Sequence, residues 1–488
     1  MESRKELEKV YSKGDVLSLA FGAMIGWGWV MLAGYWVKEA GWLGAIVAFA
    51  VGAVMCVFVG MCYAELTPAL PCAGGGLVFA YRSLGYTASW ITIWATCFAY
   101  IGVAAWEGIA ISTAIDYVIP IPKLGYLWTI AGYEVYFSWC AIGMTVGLIL
   151  IILNYMGGKS AALFQTIATL GLTGVGVLFM VGGTTMGNTE FMGEMFTSGK
   201  GLIAVLLMAP AMYVGFDVIP QSAEEMNIPL KQVAKILILS IFMAAGWYVM
   251  MVIGISKACP PDIRNNGAVP VADAAAYLFG SAMWGKVIII GALCGILTSW
   301  NGFIVGGARV IFAMGRAKML PPVFGKLHPK TQSPYAAIIL IGCICLMSPL
   351  LGKNALVWFV NASSFGVVIT YLMVTISFVV LRKKEPNLNR PFAIKRWKFV
   401  GFTAIIISIA FIMLYLPGSP GALVWPYEWG MILGWTVLGA VLAFMTKKAY
   451  PNVSNREREL LIFGEEHGRA EIIGEGQEET VASTGKSA

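Results

Sequence analysis

Charge is what this chain has least of. Lys, Arg, Asp and Glu supply 12% of its 488 residues, against about a quarter in an ordinary soluble domain. Hydrophobic residues supply 58%, in runs far longer than a soluble core uses, so a soluble class is excluded. Histidine is nearly missing, and His328 and His467 alone build neither a metal site nor a proton relay. Nine cysteines are scattered singly, mostly in apolar runs (Cys56, Cys97, Cys140, Cys294, Cys343, Cys345), with no CxxC. They read as small apolar packing residues rather than metal ligands or disulfide partners. HExxH, Walker A and GxSxG are all missing, so no enzyme, catalytic residue, metal or cofactor is expected. No cleavable signal peptide is read, because the first 14 residues are charged and the first apolar stretch is a full span.

What is present is a series of apolar stretches of about 20 residues, the length that crosses a bilayer. They lie at 15–37, 41–66, 87–118, 136–154, 160–183, 201–222, 231–256, 283–312, 335–351, 354–382, 398–417 and 428–446. Twelve spans are therefore expected, with a segment 1–14 before them and a tail from 449 to 488 after them. The tail, with Arg456-Glu457-Arg458-Glu459 followed by Gly, Ser and Thr, reads as solvated and disordered.

Basic residues set an orientation. The stretch 305–335 holds Arg309, Arg316, Lys318, Lys326 and Lys330 and no acid, and 382–398 holds seven basic residues and one Glu. Loops of opposite parity mix signs, as with Lys123 and Glu134 or Asp262 and Arg264. The positive-inside rule places the basic loops and both termini in the cytoplasm of a multi-pass protein of the cytoplasmic membrane. This bias accounts for the net charge of +7 and calls for no nucleic-acid partner; the bilayer is the partner implied.

Two spans carry helix breakers at matching places: Ile25-Gly26-Trp27-Gly28 in the first, and Pro210 through Gly215-Phe216-Asp217 in the sixth. Broken backbone frees N–H and C=O groups that hydrocarbon cannot satisfy, so it persists only where it is buried or lines a polar cavity. A matched pair of breaks, each opening a run of five spans, marks a transporter's binding site. The inner half of the first helix ends near Met24 with carbonyls that attract a cation. The outer half starts near Gly28 with N–H groups that attract an anion. One break thus offers both poles of a zwitterion. The plain alternative is that Gly26 and Gly28 only let helices approach closely, which leaves the break at 210–217 unexplained.

The ordered motifs resemble those of the amino acid–polyamine–organocation (APC) permeases. Gly22-Ala23-Met24-Ile25-Gly26-Trp27-Gly28 is similar to that family's GxxIGSGIF. Tyr63-Ala64-Glu65-Leu66 with Gly74-Gly75-Gly76 resembles its YAEL and AGG loop, and Gly215-Phe216-Asp217 with Glu224-Glu225 and Pro229 its GFD and AEE stretch. Asn301, Arg309, Arg316, Leu320-Pro321, His328-Pro329 and Arg390-Pro391-Phe392 follow in the family's order. The resemblance implies an all-α integral membrane fold of the LeuT type. That fold is a five-plus-five inverted repeat, here 15–183 and 201–382, with discontinuous helices 1 and 6. The ten-helix core 15–382 would be followed by two helices at 398–446.

The same resemblance assigns a site. A substrate carboxylate would meet the N–H groups of Trp27 and Gly28, and its amine the carbonyls of Met24, Ala211 and Val214. Phe216 or Tyr213 would close over it. Trp27 stands where the family has Ser; it shrinks the pocket or cradles an ammonium on its aromatic face, or it turns into a helix interface. The Lys that proton-coupled relatives carry in the fifth helix is replaced by Leu172, and 160–183 has no ionisable residue. Thr298 and Ser299 either ligate sodium with first-helix carbonyls or bond their own backbone. Glu107, a charge inside a span, is a functional candidate by default: it faces the pocket as an amine or guanidinium partner or proton carrier, or it pairs with a protein donor or lies near the outer surface. Asp217 is either a helix cap or a coupling residue. Glu224, Glu225 and Arg309 lie near the cytoplasmic face, as inner-gate or structural ion pairs.

The reading is a secondary-active or exchange permease working by alternating access, its substrate a small amine-bearing solute, first an amino acid, with proton or sodium as possible co-substrate. An amine or polyamine exchanger, or a non-transporting membrane sensor, are the alternatives.

Overall fold

The computed structural model describes residues 9–267 and 269–467. Helices α1 (Lys13–Ile25) and α2 (Gly28–Ala40) form a pair bent by 42°. Then come α3 (Trp42–Ala69), the short α4 (Gly76–Leu84) and α5 (Tyr86–Val118). A hairpin of β1 (Tyr126–Ile130) and β2 (Tyr133–Tyr136) precedes α6 (Phe137–Tyr155) and α7 (Gly158–Met186). Next are α8 (Gly199–Tyr213), the single turn α9 (Val218–Gln221) and α10 (Leu230–Ala258). The short α11 (Pro261–Asn266) and α12 (Pro270–Leu278) lead into α13 (Ala282–Arg316). The chain ends with α14 (Tyr335–Met347), α15 (Ala355–Lys384), α16 (Trp397–Tyr415), α17 (Tyr427–Ala449) and α18 (Asn455–His467).

Among the described residues, ten helices are long and apolar enough to cross a membrane, and the bent pair α1–α2 makes an eleventh. The expected ninth span is a shorter apolar helix, Tyr335–Leu351. Its α-helical part stops at Met347, and Ser348–Leu351 continues as a 3-10 turn around Pro349, because proline has no N–H to give and its ring crowds the turn before it. The others match the apolar runs to within a few residues.

Local chemistry starts and bends the site's helices. Ser12 and Asp15 form a reciprocal cap on α1: the Ser12 N–H donates to Asp15 Oδ2 at 3.0 Å, and the Asp15 N–H donates to Ser12 Oγ at 3.4 Å. In the second break Gly215 has φ +138°, a left-handed value that favours glycine. A Cβ there would lie 2.8 Å from the Met24 nitrogen, so this glycine also lets the two breaks touch. The long α5 packs against α13 and α15, and α3 against α10. Around the broken helices, α13, α10 and α7 pack on α1, and α3 and α15 on α8.

Two regions depart from expectation. Residues 126–136 form an antiparallel hairpin, turning at Ala131 (φ +47°) and Gly132 (φ +79°), where a loop was expected. The tail is not wholly disordered: Ser454 caps α18, accepting from the Glu457 N–H at 3.0 Å. The apolar run Leu460–Phe463 gives that helix something to bury, and Ile462 and Phe463 are buried. Lys318 pairs with Glu457 at 2.5 Å, and Arg82 with Glu459 at 3.5 Å and with Glu385 at 2.8 Å. Residues 1–8 of the N-terminal segment and 468–488 of the tail lie outside the described residues. Residues 9–12 and α18 share one face of the bundle, the termini face; the hairpin marks the opposite face.

Candidate functional site

The two breaks meet at a small cavity of about 20 Å³, room for about one water. Of the residues singled out in the sequence, Met24, Gly26, Trp27, Gly28, Glu107, Ala211 and Ser299 line it, together with Ala23, Val103, Trp106, Met212 and Tyr248. Across Gly26 the backbone leaves α1 with φ 0° and ψ −140°. Among the described residues, the N–H groups of Gly26, Trp27 and Gly28 find no backbone acceptor. They stand at the start of the thirteen-residue α2, whose first residues carry no side-chain cap. Such a terminus favours negative charge.

Glu107 faces this cavity. Its side chain is 2% exposed, and Oε2 has no hydrogen-bond partner among the described residues. A Cβ placed on Gly26 would lie 3.2 Å from Glu107 Oε1 and 3.0 Å from Ser299 Oγ. Carboxylate, serine hydroxyl and broken backbone therefore share one spot. A buried carboxylate oxygen with no donor is costly, and a cation or a proton supplied from the cavity removes the cost.

The carbonyl pole is arranged differently from expectation. Tyr248 Oη lies 2.6 Å from the Met24 carbonyl and 2.9 Å from that of Met212. One hydroxyl thus stands between the carbonyl ends of both breaks and competes with a substrate amine for the Met24 carbonyl. Val214 and Phe216 do not line the cavity. Phe216 packs edge-on against Tyr63 at 5.9 Å and beside Tyr371 at 5.5 Å. Nor does Tyr213 close over the cavity: its hydroxyl donates to the Phe49 carbonyl at 3.1 Å, and its ring stands edge-on to Tyr248 at 5.5 Å. It supports the tyrosine that does line the wall.

Asp217 is not the cap that one reading gave it. Its carboxylate accepts from the Gly215 N–H at 2.9 Å and from Tyr100 Oη at 2.7 Å, and it makes no side-chain cap on α9. It holds the second break in shape from behind. Thr298 lies outside the cavity, bonded to the Gly22 carbonyl at 3.1 Å and to its own helix at Gly295 at 3.0 Å. Leu172 is buried beside Gly295, whose own position lets the Gly26 carbonyl approach. Trp27, in place of the family's serine, lines the cavity, whereas Trp29, two residues on, packs edge-on against Trp247 at 5.7 Å.

On the termini face, the route to the cavity is shut. Arg309 donates two bonds to Glu225, at 2.6 and 2.9 Å, and Arg316 two to Glu224, at 2.9 and 2.8 Å. The Val10 and Tyr11 N–H groups donate to the Glu225 carbonyl at 2.9 and 3.0 Å, and the Asn227 N–H donates to Tyr11 at 3.0 Å. On the hairpin face, a second cavity of about 520 Å³ reaches down to the same Trp27 and Trp106 that wall the small one. Sequence reasoning missed Trp106, Met212 and Tyr248, since nothing separates them from the many other large residues of apolar helices.

Comparison with known proteins gives the family. The family described as Amino acid permease matches residues 15–441. The branched-chain amino acid permease BcaP of Bacillus subtilis is 25% identical over 462 residues, covering 92% of this chain and 95% of that protein. The methylthioribose transporter of the same organism is 23% identical over 456 residues, covering 91% and 95%. Its aspartate-proton symporter is 25% identical over 433 residues, covering 83% and 80%. A bundle of apolar spans, two touching helix breaks and a family match along most of the length lead to one conclusion: the chain belongs to the amino acid permease family of the APC superfamily.

Proposed function

We propose that this protein is a secondary-active or exchange permease that moves a small amine-bearing solute, first an amino acid, by alternating access. The observation that carries the proposal is Glu107: a buried carboxylate with an unpartnered oxygen, in one small cavity with the free N–H groups of the first break. A substrate ammonium pairs with Glu107, and a substrate carboxylate takes the N–H groups of Trp27 and Gly28. Both charges are then satisfied in a low-dielectric site.

The reading includes twelve spans, counting Tyr335–Leu351, arranged as inverted repeats 15–183 and 201–382 in a core 15–382, with 398–446 outside it. Both termini lie in the cytoplasm of a cell whose cytoplasmic membrane holds the protein, so the 520 Å³ cavity opens outward. With Leu172 in place of a lysine, movement is exchange, facilitated passage or proton-coupled through Glu107, with Asp217 shaping the break. The proton-coupled form is supported by kinship to a protein whose name couples aspartate to protons. Sodium held by Thr298 and Ser299 is the other form. An amine exchanger is the second reading, favoured by the unpartnered Glu107 carboxylate oxygen, which can hold an ammonium whether or not the solute carries a carboxylate.

The test is uptake by the purified protein in sealed liposomes, with radiolabelled amino acids and amines offered singly. Accumulation of at least one amine-bearing solute, lost in Glu107→Gln, supports the reading. No accumulation of any member would favour a non-transporting sensor.

A further inference from the structure

The 520 Å³ cavity on the hairpin face has its own chemistry. Its walls are apolar and aromatic: Met31 and Leu32 from α2, Met208 from α8, and the stacked pair Trp358 and Tyr427, whose rings lie 4.0 Å apart at 2°. Among the described residues in its lining, one side chain is a cation, Lys353, and none is an acid. Lys353 is half-buried and has no carboxylate within salt-bridge distance among the described residues. Asp116, the acid nearest in effect, accepts instead from the Ile121 N–H at 2.7 Å. Burial lowers the Lys353 ammonium from its ordinary value, with Asp116 opposing, as befits a cation short of a partner. At the floor, the indole N–H groups of Trp27 and Trp106 are buried without an acceptor. The hairpin is tied to this wall by Asn354, which donates to the Ala131 carbonyl at 2.9 Å.

Donors without acceptors, set in an apolar chamber, are matched by a ligand with an anionic head and an apolar body. The inner cavity adds what the chamber lacks, a buried acid with an unpartnered oxygen, Glu107. We propose that the 520 Å³ chamber is a second binding site, distinct from the helix-break cavity, for an apolar carboxylate held by Lys353 and packed on Trp358 and Tyr427. An apolar amino acid is one source of that chemistry and a simple carboxylic acid is another. An amino acid in this site keeps its carboxylate toward Lys353 while its ammonium leads toward Glu107, so the chamber orders the charges before the tryptophans part. That last step rests on the permease reading; the carboxylate site itself does not.

The probe that separates the two is 4-methylpentanoate, which carries a carboxylate and a branched apolar body and no ammonium. Calorimetry on the full-length protein in detergent is expected to show it binding to the wild type and to Glu107→Gln alike. Binding should weaken by about tenfold or more in Lys353→Met, the effect of losing one charged hydrogen bond, and recover in Lys353→Arg. 4-Methylpentylamine, the same body with an ammonium, should be indifferent to Lys353. Separate radiolabelled-leucine binding tells which source fills the chamber: a second, weaker equivalent lost in Lys353→Met means an amino acid does. No binding of 4-methylpentanoate, or binding that depends on Glu107 and not on Lys353, overturns the proposal. If 4-methylpentanoate binds through Lys353 while no amine-bearing solute enters liposomes, the chamber stands and the permease reading falls.

Discussion

The two faces of the bundle are closed by different chemistry. The termini face is sealed by buried ion pairs, Arg309 with Glu225 and Arg316 with Glu224, and by residues 9–12 laid on the Glu225 backbone. The hairpin face has a 520 Å³ chamber with aromatic walls, parted from the inner cavity by Trp27 and Trp106. Buried ion pairs are poor sources of net stability, because each ion gives up hydration to form them and regains it when the pair opens into water. A seal made of them can therefore open at modest cost, yet it is intolerant of losing one partner. Aromatic walls have the opposite property: they carry no charge to strand, and their large rigid faces select a ligand by shape. The difference teaches which side sets passage and which side sets fit.

The comparison breaks most readily at the ion pairs. Glu225→Ala leaves the Arg309 guanidinium buried without its carboxylate, a loss of about 3–5 kcal/mol. Hydrogen exchange should rise sharply at residues 9–12 and 222–227 and stay unchanged in the hairpin at 126–136. Equal exchange at the termini face would mean that the pair does not seal it.

Next in size is Glu107→Gln. Losing the charged partner should weaken amine-bearing ligands by about 1–3 kcal/mol, measured by calorimetry, with ligands lacking an ammonium little changed. Equal losses for both kinds would turn Glu107 into a structural residue.

Trp27→Ser sharpens the comparison from the other side. Removing the indole joins the two cavities and frees apolar volume, so bulkier solutes should gain about 1–2 kcal/mol, the worth of burying an added apolar group. A competition profile identical to wild type would show that Trp27 does not limit the site.

The smallest effect is expected at Thr298. Thr298→Val removes the hydroxyl contact with the Gly22 carbonyl and should cost about 0.5–1.5 kcal/mol of stability, with transport kept. Transport that collapses when external sodium is replaced by potassium, at fixed pH and clamped voltage, would instead bring Thr298 and Ser299 into an ion site.

The breaks were legible in the sequence because Gly26 with Gly28, and Pro210 with Gly215, fall at matching places in the first and sixth spans. Glu107 was legible for a similar reason, since a charge inside a span needs a purpose. Tyr248 was not, because a tyrosine in an apolar helix is commonplace and its reach to Met24 and Met212 arises only when α10 packs beside both breaks. The same cause misplaced Phe216 and Tyr213: neighbours of a break in sequence, they point to the layers behind it. The hairpin did carry a signal, Ala131-Gly132 between two stretches rich in aromatic residues, hidden by the apolar runs around it. The docked part of the tail was signalled by Leu460–Phe463, against which its charges were weighed too heavily.

The most direct measurement is substrate binding by Gly26→Leu. A side chain at Gly28 meets the flexible Met212 sulfur at 2.7 Å, which can move aside, whereas one at Gly26 enters between Ser299, at 2.9 Å, and Glu107, at 3.2 Å. Gly26→Leu should therefore give a monodisperse, helical protein that binds no amine-bearing solute taken up by the wild type. Wild-type affinity in that variant would contradict the assignment of the helix break as the place where the substrate sits.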